Sequence, residues 1–299
     1  MRFTRLKRNL VLFLFSALGS AALLLFLYNA TLTVEYEEQK TVLPGIDTVP
    51  REYWEELGQK KIFWGHRELG DDIIEGIKEV RQKYDFIKLN IVETTDPAAF
   101  DQPIFAHAEL GTCVYPLTKI DAFTRVLEEG VGEKIDIALL KFCYGDFRWE
   151  SNSEQTWERY KQMMNNLKEK YPNVQFIHVT APICTRPLRG RTIVREFIKY
   201  LVGRPTIWAD NAKRQSYNNW LTTTFANSEP VFDLAKVESV GQEGFRSYVT
   251  YEGEKVYVLA PGLAMSVGNI NIPGSRHIAE QLLICLANTA GIPKSSAHP

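Results

Sequence analysis

Residues 135–142 (Ile-Asp-Ile-Ala-Leu-Leu-Lys-Phe) are nearly continuous in apolar character, and no other feature narrows the fold so far. A strand with water on one face alternates apolar and polar residues, whereas a strand covered on both faces has no reason to alternate. The run therefore predicts a central strand of a parallel sheet. Shorter strand-like runs at 61–64, 88–92, 174–179 and 231–233 are separated by segments of helical periodicity at 71–80, 116–129, 154–171, 209–225 and 276–288. Residues 103–111 read as a loop rich in aromatic and small side chains, and 245–259 as a β-hairpin turning at Glu252-Gly253. Strands alternating with helices, with no internal repeat, imply one α/β domain built on a parallel sheet.

The N-terminal part has a different composition. From Leu10 to Tyr28 there is no charged residue, a run of about 19 positions, close to what a helix needs to cross a bilayer. Arg2, Arg5, Lys7 and Arg8 precede it, and Glu35, Glu37 and Glu38 follow. That asymmetry predicts a cytoplasmic N-terminus and an extracytoplasmic main domain, single-pass in the cell membrane. A cleavable signal peptide is the rival reading. The apolar run is longer than a usual signal-peptide core, and neither Ser20-Ala21-Ala22 nor Tyr28-Asn29-Ala30 fits a small-x-small site well. The resulting division is a basic tail (1–9), an anchor (10–28), a linker with a short helix (29–58), a main domain (59–290) and a disordered tail (291–299).

The formal charge of the 299-residue chain is −1, and setting aside the four basic residues of the tail leaves −5 for the rest. That balance disfavours nucleic acid as a partner. None of the four cysteines (Cys113, Cys143, Cys184, Cys285) forms a CxxC pair, and no zinc spacing is present, so neither metal nor cofactor is expected. Cys143 and Cys184 each follow a strand-like run, which makes them candidates for a disulfide.

The chemistry is expected at Phe63-Trp64-Gly65-His66-Arg67-Glu68-Leu69-Gly70, a strand end, a glycine-bounded turn and a helix start. In open α/β sheets ligands sit outside the carboxyl ends of the strands. A sharp strand-to-helix turn there would expose a nucleophile, yet this one offers His66, Arg67 and Glu68 and no hydroxyl or thiol.

This turn, together with Lys141-Phe142-Cys143-Tyr144, 176–182 (Phe-Ile-His-Val-Thr-Ala-Pro) and Phe232-Asp233-Leu234-Ala235 followed by Glu238-Ser239, resembles one branch of the SGNH/GDSL hydrolases. Pro273-Gly274 and 279–283 (Ala-Glu-Gln-Leu-Leu) fit the same branch. The resemblance runs in order over 59–288 and implies a three-layer α/β/α sandwich with ester-hydrolase or acyl-transfer chemistry in active members. Those members carry Gly-His-x-Ser-Val-Gly at the first turn, where this chain has Glu68 in the serine position. They also carry Asp-Gly-Gly-His-Leu-Asn before the last helix, where this chain has Ser266 for the acid and Asn269 for the base. Gly111 matches a residue that donates to the oxyanion, and the asparagine beyond it matches Cys113.

A serine hydrolase needs a hydroxyl, an imidazole to take its proton and a carboxylate to orient that imidazole. With all three replaced, the leading expectation is a non-hydrolytic binding or accessory protein of the cell envelope, with a glycan, lipid or protein as partner. Two alternatives stand beside it. One is an ester hydrolase or acyltransferase with a non-standard site, such as a carboxylate pair of Glu68 and Asp146. The other is a structural member of an envelope complex. An insertion carrying Arg186, Arg189, Arg191, Arg195, Lys199 and Arg204 follows the strand at 174–179. It would overhang the strand ends and attract phosphate or carboxylate groups, or else be a solvated helix face.

Overall fold

The computed structural model describes residues 33–187 and 190–291, with Gly19, Leu23 and Tyr28 as isolated positions before them. Six strands form one parallel sheet in the order β3-β4-β2-β5-β6-β7: β2 (Lys61–His66), β3 (Ile91–Glu93), β4 (Ile104–Glu109), β5 (Ile137–Leu140), β6 (Gln175–Val179) and β7 (Val231–Phe232). A separate antiparallel sheet joins β1 (Glu35–Lys40) to the hairpin β8 (Phe245–Tyr251) and β9 (Glu254–Tyr257). The helices are α1 (Arg51–Leu57), α2 (Leu69–Lys83), α3 (Pro116–Val126), α4 (Ser153–Lys170), α5 (Gly190–Leu201), α6 (Ile207–Phe225), α7 (Leu234–Ser239) and α8 (Ile272–Gly291).

The apolar run behaves as its composition requires. All four residues of β5 are buried, and successive side chains enter opposite cores. Ile137 and Leu139 join Ile62, Trp64, Ile73, Ile77, Leu282 and Leu286 on the face covered by α2 and α8. Ala138 and Leu140 join Phe63, Phe123, Tyr160 and Tyr217 on the face covered by α3, α4 and α6. These are the three layers. Truncating a residue such as Leu139 to alanine costs about 2–5 kcal/mol, because both cores leave little room to collapse. The helices α2 and α8 approach so closely at Gly76 that a Cβ there would overlap the Ser275 backbone.

Three expectations are corrected. No helix among the described residues is long and apolar enough to cross a membrane, which removes the spanning helix from the fold as described. The segment expected to span, apart from Gly19, Leu23 and Tyr28, lies outside the described residues, as do the basic tail and 292–299. Residues 104–109, read as loop, are strand β4, which pairs with both β2 and β3. Their alternation is hidden by small residues at 106 and 108, and Pro103 and Gly111 bound them like turn signals. Residues 35–40, read within a linker, form β1 on β8 through backbone bonds, with side chains almost wholly in solvent.

The chain visits β2, β3 and β4 on one side before crossing to β5, so the strand order switches beside β2. The crevice above the carboxyl ends of β4, β2 and β5 is the place where such a sheet binds ligands. Glu68, Cys113 and Cys143 follow those three strands.

Candidate functional site

Glu68 stands between β2 and α2 with φ 51° and ψ −108°, a backbone conformation that side chains other than glycine rarely adopt. Holding it costs on the order of 1–3 kcal/mol, which the surrounding packing supplies. Two glycines make the turn fit. A Cβ at Gly65 would meet Leu110, Phe123 and Leu140, and one at Gly70 would enter the His66 ring. The result is a sharp elbow that presents the Glu68 side chain to solvent.

His66 faces the other way. It is fully buried, with Nε2 3.0 Å from Nδ1 of His107 and its ring against Trp64 at 4.8 Å between centroids. Its Nδ1 is 3.9 Å from Asp71, beyond hydrogen-bonding range. Burial pulls the imidazole down to about 3, and the charges of Lys141 and His107 act in the same direction. A ring held neutral in this way does not take a proton near pH 7. Arg67 donates to the carbonyl of Gly111 at 2.8 Å and lies 3.7 Å from Glu109, so it ties the elbow to the end of β4. Gly111, at φ 63°, lies against the backbone of Lys119.

Asp146 is a brace. Its carboxylate accepts from the buried ammonium of Lys119 at 2.9 Å, from the buried Cys143 amide at 2.7 Å and from the amide of the more exposed Val114 at 2.9 Å. Burial pushes its carboxyl up against the opposing pull of Lys119 and the Cys143 amide. Asp146 is thus wholly buried and committed to Lys119 and two amides, whereas Glu68 faces solvent.

Asp146 holds the loop after β4 beside the loop after β5, and there the Sγ atoms of Cys113 and Cys143 lie 2.8 Å apart. Burial and the neighbouring Cys143 and Glu68 side chains push the Cys113 thiol up. The donor atoms of Glu68, Cys113 and Cys143 lie within 4.8 Å of one another, a set whose two sulfurs suit a thiophilic metal. The expected Cys143–Cys184 disulfide is absent. Cys184 is a free thiol packed with Phe197, Trp208 and Val258, and its amide and carbonyl bond to Asn211.

Ser266 and Asn269 lie on one tight turn, where the amides of Met265 and Ser266 both donate to the Asn269 carbonyl. Gly268 of that turn is seated on the Tyr144 ring. Burial pushes the Tyr144 phenol up, and the nearby charges of Cys184 and Glu68 add to the effect. Tyr144 therefore stands between the elbow and the turn. His277 bonds to the Val237 carbonyl at 3.2 Å and takes no part.

Tyr144 and Val267 also line a cavity of about 850 Å³ whose walls carry Arg148, Trp149, Arg195, Lys199, Arg204 and Arg214 together with the carboxylates of Glu150, Glu196 and Asp210. Half of the insertion's basic residues meet there, while Arg186 is exposed outside the lining and Arg189 lies outside the described residues. Glu196, buried on α5, pairs with Lys199 at 2.8 Å and Arg195 at 3.7 Å, and accepts from the Ile207 amide. Arg214 is spent on the Tyr144 carbonyl and Asn211. Among the described residues neither Arg148 nor Arg204 enters an ion pair. Lys119, His107, Arg148 and Arg214 escape sequence reasoning because each sits in an ordinary helix, strand or loop context. A lysine at 119 beside Ile120 and Phe123 is the only one with a readable oddity.

No family model and no curated protein sequence matches the chain. Similar solved structures include a Parabacteroides merdae protein described as a GDSL-like lipase, with 13% identity over 75% of this chain and 94% of that one and a TM-score of 0.44. Another is the periplasmic domain of a lipopolysaccharide acetyltransferase from Salmonella ser. Paratyphi A, with 13% identity over 78% and 93% and a TM-score of 0.38. A Bacteroides fragilis protein described as an acylhydrolase gives 11% over 80% and 95%, with a TM-score of 0.44. At that level nothing of their activities passes to this chain.

Proposed function

We propose that this chain is a non-hydrolytic binding protein built on the scaffold of an SGNH/GDSL hydrolase. The observation that carries the reading is Glu68 at the apex of the strained elbow. A carboxylate there has no hydroxyl to attack with, and it sets a negative side chain where an acyl-transfer oxyanion would need donors. The partners are missing in kind as well. An amide at Asn269 takes no proton, Ser266 carries no charge to orient a base, and the nearby imidazole of His66 is buried against His107.

The ligand we propose is an anion, a phosphate or carboxylate group carried on a sugar or lipid, held in the cavity beside Tyr144. Supporting this are the guanidinium groups of Arg148 and Arg204, which enter no ion pair among the described residues, and the half-exposed Trp149 on the same wall. Guanidinium forks match phosphate and carboxylate oxygens two at a time, and an indole face packs on a sugar ring. The test is a panel of short acyl esters beside a titration with inorganic phosphate and glucose 6-phosphate. The reading expects no ester turnover and saturable binding of the phosphates. Turnover that depends on Glu68, or no saturable binding, would sink it.

A further inference from the structure

The pair Cys113 and Cys143 is used neither by the fold nor by the proposed anion site. The two residues are 30 positions apart and on different loops, yet their Sγ atoms are 2.8 Å apart. The buried Asp146 fixes that approach, because it accepts from the amides of both Val114 and Cys143. We propose that Cys113 and Cys143 form a reversible disulfide across the floor of the crevice, made and broken by exchange with small-molecule disulfides and thiols.

The chemistry balances as a two-electron exchange. Cys113, half-exposed, attacks the incoming disulfide, and one thiol leaves with the Cys113 proton. Cys143, buried behind it, then attacks the mixed disulfide at Cys113, and the second thiol leaves with the Cys143 proton. Two thiols of the protein become one S–S bond, and one disulfide of the co-reactant becomes two thiols. Closing the bond to about 2.05 Å needs a sulfur movement of under about 1 Å. A metal fits less well. With Zn–S bonds of about 2.3 Å, two sulfurs 2.8 Å apart subtend far too narrow an angle for a tetrahedral ion. The charges of Lys119 and Lys141 also adjoin the pair. Burial pushes both thiols up, and the contact with Glu68 pushes Cys113 further, so the reduced pair keeps its protons near pH 7 and oxidises faster as pH rises.

The test is peptide mapping of the full chain after incubation with oxidised glutathione, digested without reductant. The expected product is a single cross-linked peptide pair containing Cys113 and Cys143, lost on adding dithiothreitol and formed faster at pH 9 than at pH 7. In Cys143→Ser, Cys113 is expected to stop at the glutathione adduct. The wild-type map alone decides the matter if that variant does not fold. Three results overturn the proposal: both cysteines alkylated as free thiols after the oxidant, Cys143 linked to Cys184 instead, or Zn²⁺ shielding both thiols while the oxidant leaves them unlinked.

Discussion

The Lys119 ammonium and the Asp146 carboxylate meet at 2.9 Å with both side chains wholly out of solvent. A bare charge in such a place is costly, so each is tolerable only because of the other and of the surrounding bonds. Lys119 reaches the Thr112 carbonyl as well, and Asp146 takes two amides. Together they weld the loops after β4 and β5, the two that frame the elbow. Replacing Lys119 with methionine strands the carboxylate and is expected to cost about 3–5 kcal/mol, read as a lowered urea midpoint with an unchanged slope. A change within 0.5 kcal/mol would mean that the weld is not what holds these loops.

Glu238 gives the chain an unusual dependence on pH. It is fully buried, accepts from the Ile183 amide at 2.7 Å, and burial raises its carboxyl from 4.5 to about 8. Between those values the folded state holds a proton that the unfolded state has released. Its contribution is complete below about 4.5 and is lost as pH rises through 8, at a slope approaching 1.4 kcal/mol per unit. Glu238→Gln keeps an acceptor for Ile183 and has no proton to lose. The variant is therefore expected to gain stability relative to wild type as pH rises from 5 to 8. Parallel stability curves would contradict this.

Oxidation of the Cys113–Cys143 pair would close a loop of about 30 residues. Chain-entropy arguments put the gain at about 3–4 kcal/mol, if the native geometry accepts the bond with little strain. Thermal unfolding of the oxidised and reduced protein should show the oxidised form melting higher. Cys113→Ser should abolish the difference.

The anion cavity makes its own demand. Arg148→Ala and Arg204→Ala should each weaken inorganic phosphate binding about tenfold, the effect of losing a charge-assisted contact worth roughly 1.5 kcal/mol. Raising the salt should weaken wild-type binding and narrow the gap between wild type and variants. The exposed Arg186 outside the lining is the control, and Arg186→Ala should bind like wild type.

What was legible in the chain follows from what each residue reports locally. Residues 137–140 announce themselves because burial on both faces leaves a mark in composition. The hairpin at 245–257 does so through Glu252-Gly253, both of which sit at positive φ. Strand β1 leaves no mark, since five of the six residues of Glu35–Lys40 are exposed and it is held by backbone bonds to β8, with Glu35 and Glu37 adding side-chain bonds to Thr250 and Tyr257. At the site, the turn at Gly65–Gly70 is readable because its glycines are forced by close packing, and Glu68 stands out there as the wrong kind of residue. The Cys113–Cys143 approach and the Lys119–Asp146 brace are not readable, because each joins segments about 30 residues apart that only the strand order brings together. Pairing Cys143 with Cys184 from their strand-end positions fails for the same reason. Cys184 belongs to the cluster beside β8 and β9, and Cys143 to the crevice.

The central claim is that the elbow at Glu68 supports no acyl-transfer chemistry although its scaffold would. The most direct measurement compares fluorophosphonate labelling and short-ester turnover of the wild type with those of the triple variant Glu68→Ser, Ser266→Asp, Asn269→His. The account predicts an unlabelled, silent wild type and a variant that is labelled at the new serine and turns esters over. A wild type that already hydrolyses esters, with the activity lost in Glu68→Gln, would contradict it.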